Sequence, residues 1–138
     1  KVICLAESLI GVPYQYGASE GSTASFDCSS FIQHIFKTGA GIELPRSAIL
    51  QAADQQGQEI DPTKPANFLP GDLLFRRGAQ GHYRDEWFAG RPIDIGHVML
   101  YIGGGEVIHA TGGEKGKVVR EPAEQYHEKI NFVKRLII

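Results

Sequence analysis

The sequence has no apolar run near the roughly eighteen residues that cross a bilayer, so no membrane span is expected in this domain. It has no basic excess either: 14 Lys and Arg stand against 16 Asp and Glu, and a net charge of -2 offers no field for nucleic acid. Two cysteines, Cys4 and Cys28, are too few for a disulfide framework, although one bridge is arithmetically possible and would leave Cys28 inert. The opening "KVICLAESLIGVPY" lacks the charged region, apolar stretch and small-residue cleavage site of a signal peptide. Numbering begins at a lysine, which leaves room for an upstream segment, and localisation is not legible from composition. Repeats, low-complexity tracts and charge blocks are also missing. The 138 residues are therefore expected to form one domain, large enough to bury about two-thirds of the unfolded surface.

What is present is periodic. Apolar residues from Val2 to Ile10 share a helical face until "GVP" stops it, with Cys4 inside as a small buried hydrophobe. In "SFDCSSFIQHIF", Asp27 is a suitable N-cap, and Cys28, Phe31, Ile32, Ile35 and Phe36 form one stripe that Gly39 and Gly41 end. Ser47 can cap a third short helix through "AILQAADQQ", closed by Gly57. The period then changes. "PGDLLF", "HVMLYI", "VIHAT" and "INFVKRLII" read as strands, rich in β-branched and aromatic residues. Helices first and strands after argue for an α+β domain, with N-terminal helices packed on an antiparallel sheet. From Arg76 to Asp94 runs a polar and aromatic stretch whose length suggests a functional surface loop.

"GHVMLYIGGGEVIHAT" holds two histidines on a hairpin. If Gly103, Gly104 and Gly105 form a three-residue loop, Ile102 pairs with Glu106 and paired residue numbers sum to 208. His97 then faces Thr111, His109 faces Met99, and the two imidazoles are diagonal neighbours about 7–8 Å apart at the backbone. Val98, Leu100, Ile102, Ile108 and Ala110 occupy the other face. A two-residue loop alone would put the histidines on opposite faces.

A thiol in the first turn of a helix lies where backbone N–H groups lack partners, and a helix N-terminus beside an imidazolium favours the thiolate. Cys28 is thus a candidate nucleophile, with an unpaired N–H for the oxyanion, His97 as base and His109 as the group that orients it. Activity should then rise as Cys28 and His97 reach an ion-pair form and fall when His97 loses its proton. Two histidines and one distant thiol lack the ligand spacing of structural zinc sites, so no metal and no cofactor is expected.

Taken in order, "PYQYGA", "FDCSSF", "LPRS", "PGDLLF", "GHVMLYIGGG" and "VIHAT" resemble the NlpC/P60 family of bacterial cell-wall cysteine peptidases, which are small papain-like domains. The resemblance runs from about Val2 to Thr111, and the final strand also fits. It implies a Cys-His-His triad at Cys28, His97 and His109, and peptidoglycan stem peptides or muropeptides as substrates, commonly cut between D-γ-glutamate and the diamino acid. By the same resemblance Tyr14 lines the site near the oxyanion. Asp27 and Ser29 flank the thiol, and Asp27 corresponds to an acidic residue that helps bind a free peptide amine in some relatives. Arg46 and Ser47 correspond to residues that bind a substrate carboxylate or amide. Tyr16, Gly17 and Ala18 depart from the Trp-Gly-Gly of many relatives, and Ser30 stands where glycine is frequent; neither change removes a catalytic group. His82, Tyr83, Trp87 and Phe88 are candidates for one wall of the groove. The resemblance also implies a secreted or cell-envelope setting, with cytoplasmic recycling as the other, and a domain that can be the C-terminal part of a longer protein. Two alternatives stay open: an amidase or acyl-transferring relative of the same fold, and a non-catalytic wall-binding module.

Overall fold

A computed structural model describes residues 1–19, 23–77, 95–113 and 115–136. The expected loop from Arg76 to Asp94 falls almost wholly outside these residues, and so do His82, Tyr83, Trp87 and Phe88.

Helix α1 spans Val2–Ser8 and buries Val2 and Ala6, one turn apart. Cys4 is exposed, not buried as expected, because it lies about 200° round the helix from Val2, away from that stripe. Both thiols are free. Helix α2, Cys28–Ala40, starts with reciprocal capping: Asp27 Oδ1 accepts the Ser30 N–H at 2.8 Å, and Ser30 Oγ accepts the Asp27 N–H at 3.0 Å. Phe31, Ile32, Ile35 and Phe36 are fully buried, as their spacing predicts. Gly41 closes the helix in the left-handed region with φ 68. Gly39 lies inside it instead, where a Cβ would come within 3.1 Å of Val2 Cα, so its missing side chain lets α1 approach.

Helix α3 spans Ala48–Ala53, capped by Ser47 Oγ, which accepts the Leu50 N–H at 3.4 Å. It ends at Asp54, short of Gly57. There the buried Lys134 ammonium donates to the carbonyls of Gln51, at 3.0 Å, and Asp54, and a cation at a helix C-terminus is favoured by the dipole as well.

Among the described residues six antiparallel strands follow: β1 Gln58–Ile60, β2 Leu73–Arg76, β3 His97–Gly103, β4 Glu106–Thr111, β5 Lys117–Pro122 and β6 Ile130–Arg135. Their order across the sheet is β1-β6-β2-β3-β4-β5. The expected α+β architecture is thus observed, while β1 and β5 are additions to the four strands legible in the sequence. The three helices pack on one face, over Leu73, Phe75, Val98, Leu100, Ile108, Ala110 and Phe132. On the other face Leu74, Met99, Val107 and Val133 are covered by Phe68, Ala123 and Tyr126, which belong to and flank two short 3₁₀ helices, Pro65–Asn67 and Glu124–Lys129.

The β3–β4 hairpin keeps the expected sum of 208 at Leu100↔Ile108 and Tyr101↔Val107. Nearer the turn it slips: Gly103, not Ile102, pairs with Glu106, leaving a two-residue turn at Gly104 and Gly105. One extra residue on β3 offsets the shorter turn, so the histidine register survives a loop that by itself would have inverted it. Gly103 has φ 90, and a Cβ there would meet Pro70 Cγ at 3.0 Å; Gly104 has φ 61 and open space around it. Gly103→Ala is therefore expected to destabilise the fold by about 2–3 kcal/mol and Gly104→Ala by about 1 kcal/mol. Urea denaturation of the two variants checks this, and the reverse order would contradict the register slip.

Candidate active site

Cys28 occupies the first position of α2 because Asp27 stops the preceding chain and caps the helix there. The Asp27 carboxylate is densely used. Oδ1 receives the Ser30 N–H at 2.8 Å, Ser29 Oγ at 3.2 Å and Arg46 Nη1 at 3.1 Å, while Oδ2 receives Arg46 Nη2 at 2.8 Å and the Gly17 N–H at 3.2 Å. Five donors fill the roughly four lone-pair directions of a carboxylate. Burial alone would raise the Asp27 pKa, but Arg46 and Ser30 outweigh it and hold it below the ordinary value. Arg46 also donates to Ser29 Oγ at 2.8 Å and to the Ala18 carbonyl at 2.6 Å, tying three chain segments to the helix start. The buried Gln51 adds a strut from α3, donating to the carbonyls of Ser29 at 3.0 Å and Pro45 at 2.9 Å.

His97 begins β3 and His109 lies on β4. Their rings meet with Nε2 of His97 2.7 Å from Nδ1 of His109, centroids 5.0 Å apart and planes at 77°. Both residues are buried, His109 completely. Along their strands they share a face with Met99 and Val107, two residues away, which pack on the side away from the helices. The thiol arrives at the same end of the sheet from the helical side. It is reached by the N–H groups of Val98, the residue after His97, and of Ser29. Tyr14 lies within electrostatic reach of the thiol and of Asp27, and its ring closes on Gly112, where a Cβ would be 3.1 Å from it.

Four further residues at the site escaped the sequence analysis. Glu121, buried on β5, has Oε1 2.6 Å from His109 Nε2 and accepts Tyr126 Oη at 2.8 Å; its Oε2 pairs with Lys115. Arg76, cross-strand partner of His97, lays its guanidinium 5.4 Å from the centre of the Tyr126 ring, which itself stands edge-on to His109. Glu121 was missed because β5 was: "KVVREP" is short, charged and ends in proline. Its spacing was a usable signal, since His97, His109 and Glu121 follow one another at intervals that match one strand-and-turn each.

Electrostatically the site favours neutral groups. Although part of Cys28 reaches the surface, burial pushes its thiol up to about 11, against the smaller opposing effect of the Val98 N–H. Burial lowers His97 well below its usual value, with His109 and Arg76 adding to the effect, and brings His109 down to about 3, helped by Arg76 and Lys115. Burial thus works against the expected thiolate–imidazolium pair, disfavouring the charged form of each member. Burial, then Cys28 and Asp27, raise the Tyr14 phenol, so it stays a donor at neutral pH.

The structure accordingly brings Cys28, His97, His109 and Tyr14 to one end of the sheet. It gathers Asp27, Ser29 and Arg46 into a network around the helix start, where their donors and acceptors are engaged with one another. It uses Ser47 to cap α3. No cluster of three or more metal-ligating side chains occurs among the described residues.

Helices stacked on one face of an antiparallel sheet, with a thiol at a helix start reached by the N–H of the residue that follows a histidine at a strand start, define a papain-like α+β domain. The chain belongs to the NlpC/P60 family, whose model matches residues 11–135. It is 32% identical over 134 residues to the gamma-DL-glutamyl hydrolase of Bacillus subtilis, covering 97% of this chain and 28% of that protein. It is 34% identical over 120 residues to the gamma-D-glutamyl-L-lysine dipeptidyl-peptidase of the same organism, covering 87% of this chain and 34% of that one. The solved structure of the peptidoglycan hydrolase RipB from Mycobacterium tuberculosis superposes with a TM-score of 0.70 and 32% identity, over 99% of this chain and 63% of that one. The chain thus spans about a third or less of the two curated relatives.

Two measurements check the electrostatics. In a Cys4→Ser background, the ultraviolet absorbance of the Cys28 thiolate is expected to appear with a midpoint near 11, and a midpoint below the ordinary thiol value would contradict the burial. Both imidazoles have folded pKa values below the unfolded 6.5, so in the interval between them the unfolded chain binds protons that the folded chain refuses. Their contribution to stability is complete above the unfolded value and is lost as pH falls below it. The urea midpoint should drop between about pH 7 and pH 5, with a shallower slope in the His97→Gln, His109→Gln double variant; equal slopes would contradict the assignment.

Proposed function

We propose that this domain is a cysteine endopeptidase that hydrolyses peptidoglycan stem peptides, at the bond between D-γ-glutamate and the diamino acid, through Cys28, His97 and His109. The observation that carries the reading is the approach of the Cys28 thiol to the N–H beside His97, whose ring is bonded to His109 at 2.7 Å. The names of the relatives support the bond: two are called γ-glutamyl hydrolases or peptidases, and a third a peptidoglycan hydrolase. The 138 residues act as one catalytic domain in a secreted or cell-envelope setting.

Because the resting pair is neutral, proton transfer and attack are coupled. The substrate carbonyl displaces water from the thiol, sulfur bonds to carbon as its proton passes to His97, and the charge moves to the carbonyl oxygen. The Cys28 N–H, without an intrahelical partner at the first position, and the Tyr14 hydroxyl are the donors for that oxygen. His97 then protonates the leaving amine and the C–N bond breaks; water next attacks the acyl carbon as its proton passes to His97, and the C–S bond breaks as the sulfur takes that proton back. Asp27, Ser29 and Arg46 hold the helix start and hence the sulfur; their direct contact with substrate would require the network to exchange partners. Ser47 contributes through α3.

Incubating the reduced domain with muropeptides and sizing the products by mass spectrometry tests the reading. The expected result is cleavage after D-γ-glutamate by the parent domain and no turnover by Cys28→Ala with an unchanged melting temperature. Release of the sugar's lactyl group from alanine, or transfer to an acceptor other than water, would assign a different bond or acceptor. A folded, reduced sample that cuts none of these substrates would remove the reading.

A further inference from the structure

Three buried polar side chains stand side by side on consecutive strands: His97 on β3, His109 on β4 and Glu121 on β5. The register His109↔Val119 places Glu121 two residues further along β5 on the same face, which is how its carboxylate reaches the ring. The contacts run in series, 2.7 Å between the two rings and 2.6 Å from His109 Nε2 to Glu121 Oε1. At the far end Tyr126 Oη donates to Oε1 at 2.8 Å and the Lys115 ammonium pairs with Oε2.

Proton counting along this row leaves one arrangement. A carboxylate facing an ammonium and a phenolic donor is an acceptor only, so the short contact to His109 must be Nε2–H donating to Oε1. Were that nitrogen bare, two lone pairs would face each other in a dry interior. His109 is neutral in its surroundings and carries a single N–H, which leaves its Nδ1 as an acceptor. The contact to His97 is then His97 Nε2–H donating to that Nδ1. A neutral His97 with its proton on Nε2 keeps its lone pair on Nδ1.

We propose that Glu121 is a positioning residue that sets the tautomer of both histidines, acting through His109 to leave Nδ1 of His97 as the nitrogen that takes the thiol proton. Lys115 and Tyr126 hold the carboxylate in place for this task. The catalytic consequence rests on the hydrolytic reading above; the tautomers do not. During attack the S–H proton moves to His97 Nδ1 as the S–C bond forms, and His97 becomes an imidazolium still donating through Nε2. No proton needs to pass to His109 or Glu121, whose oriented dipole and charge face the new cation. The proton on Nδ1 leaves with the amine when the C–N bond breaks.

Nitrogen and carbon NMR of the histidine rings, read beside muropeptide kinetics, tests the proposal. In the parent protein both rings are expected as Nε2–H tautomers. In Glu121→Gln, Lys115 favours the amide oxygen toward itself and turns the amide N–H₂ toward His109, so both rings should switch to Nδ1–H. Turnover should then fall on the order of 100-fold or more with KM changed less than about twofold. Tyr126→Phe keeps the carboxylate and should keep the tautomers. Parent rings protonated at Nδ1, or a folded Glu121→Gln with parental tautomers and kcat, would overturn the proposal. Should Glu121→Gln not fold, the parent spectrum still decides. A parent domain that cuts no muropeptide removes the hydrolytic reading and leaves the ring spectra to judge the tautomers.

Discussion

The 2.7 Å contact between His97 and His109 depends on strand register, and most of the site depends on that contact. Two rings on neighbouring strands meet only if their strands pair so that both point to the same face. The β3–β4 hairpin achieves this with an offset near its turn, where one extra residue on β3 restores the parity that the two-residue turn would have broken. Core packing on both faces then holds the register. Val98, Leu100 and Ile108 lie under the helices while Met99 and Val107 lie under Phe68 and Tyr126, so a slip by one residue would exchange imidazole for aliphatic side chains on both sides at once.

The second constraint is dryness. A thiol at a helix start has reason to ionise, and so does an imidazole beside it, yet burial drives Cys28 up and His97 down. The site stores no charge on its reacting pair, while the groups around it are ionic: Asp27 with Arg46 on one side, Glu121 with Lys115 on the other. Each of those pairs is anchored by further donors, so the fixed charges serve as struts and the mobile proton stays on the pair.

Much of this was legible in the sequence for physical reasons. A helical stripe interrupted by nothing predicts Phe31, Ile32, Ile35 and Phe36 in the core, and an aspartate before it predicts the start of α2. Two strand-like runs around three glycines predict which face the histidines share. The glycine offset was not legible, because three consecutive glycines accept several turn geometries and only tertiary contact, Pro70 against Gly103, selects one. Cys4 was misjudged because a short helix of mixed apolar residues does not reveal which of its sides meets the core. The thiol's preference for the neutral form was hidden for a related reason: local sequence gives the helix dipole, whereas the removal of water comes from segments far away in the chain. Glu121 needed β5, a short strand whose pairing with β4 outweighs its charged composition.

Strand β5 is an outer strand of the sheet, and it is not left bare. Backbone bonds from Gly11 to Val118, from Val118 to Val12 and from Tyr14 to Gly116 lay the stretch after α1 along its free side. One connector thus carries the Tyr14 phenol and also clasps the strand that bears the carboxylate. A proteolytic nick in that connector would let the rim of the sheet fray, misaligning the hydroxyl and the acid together while the central strands and α2 stayed folded.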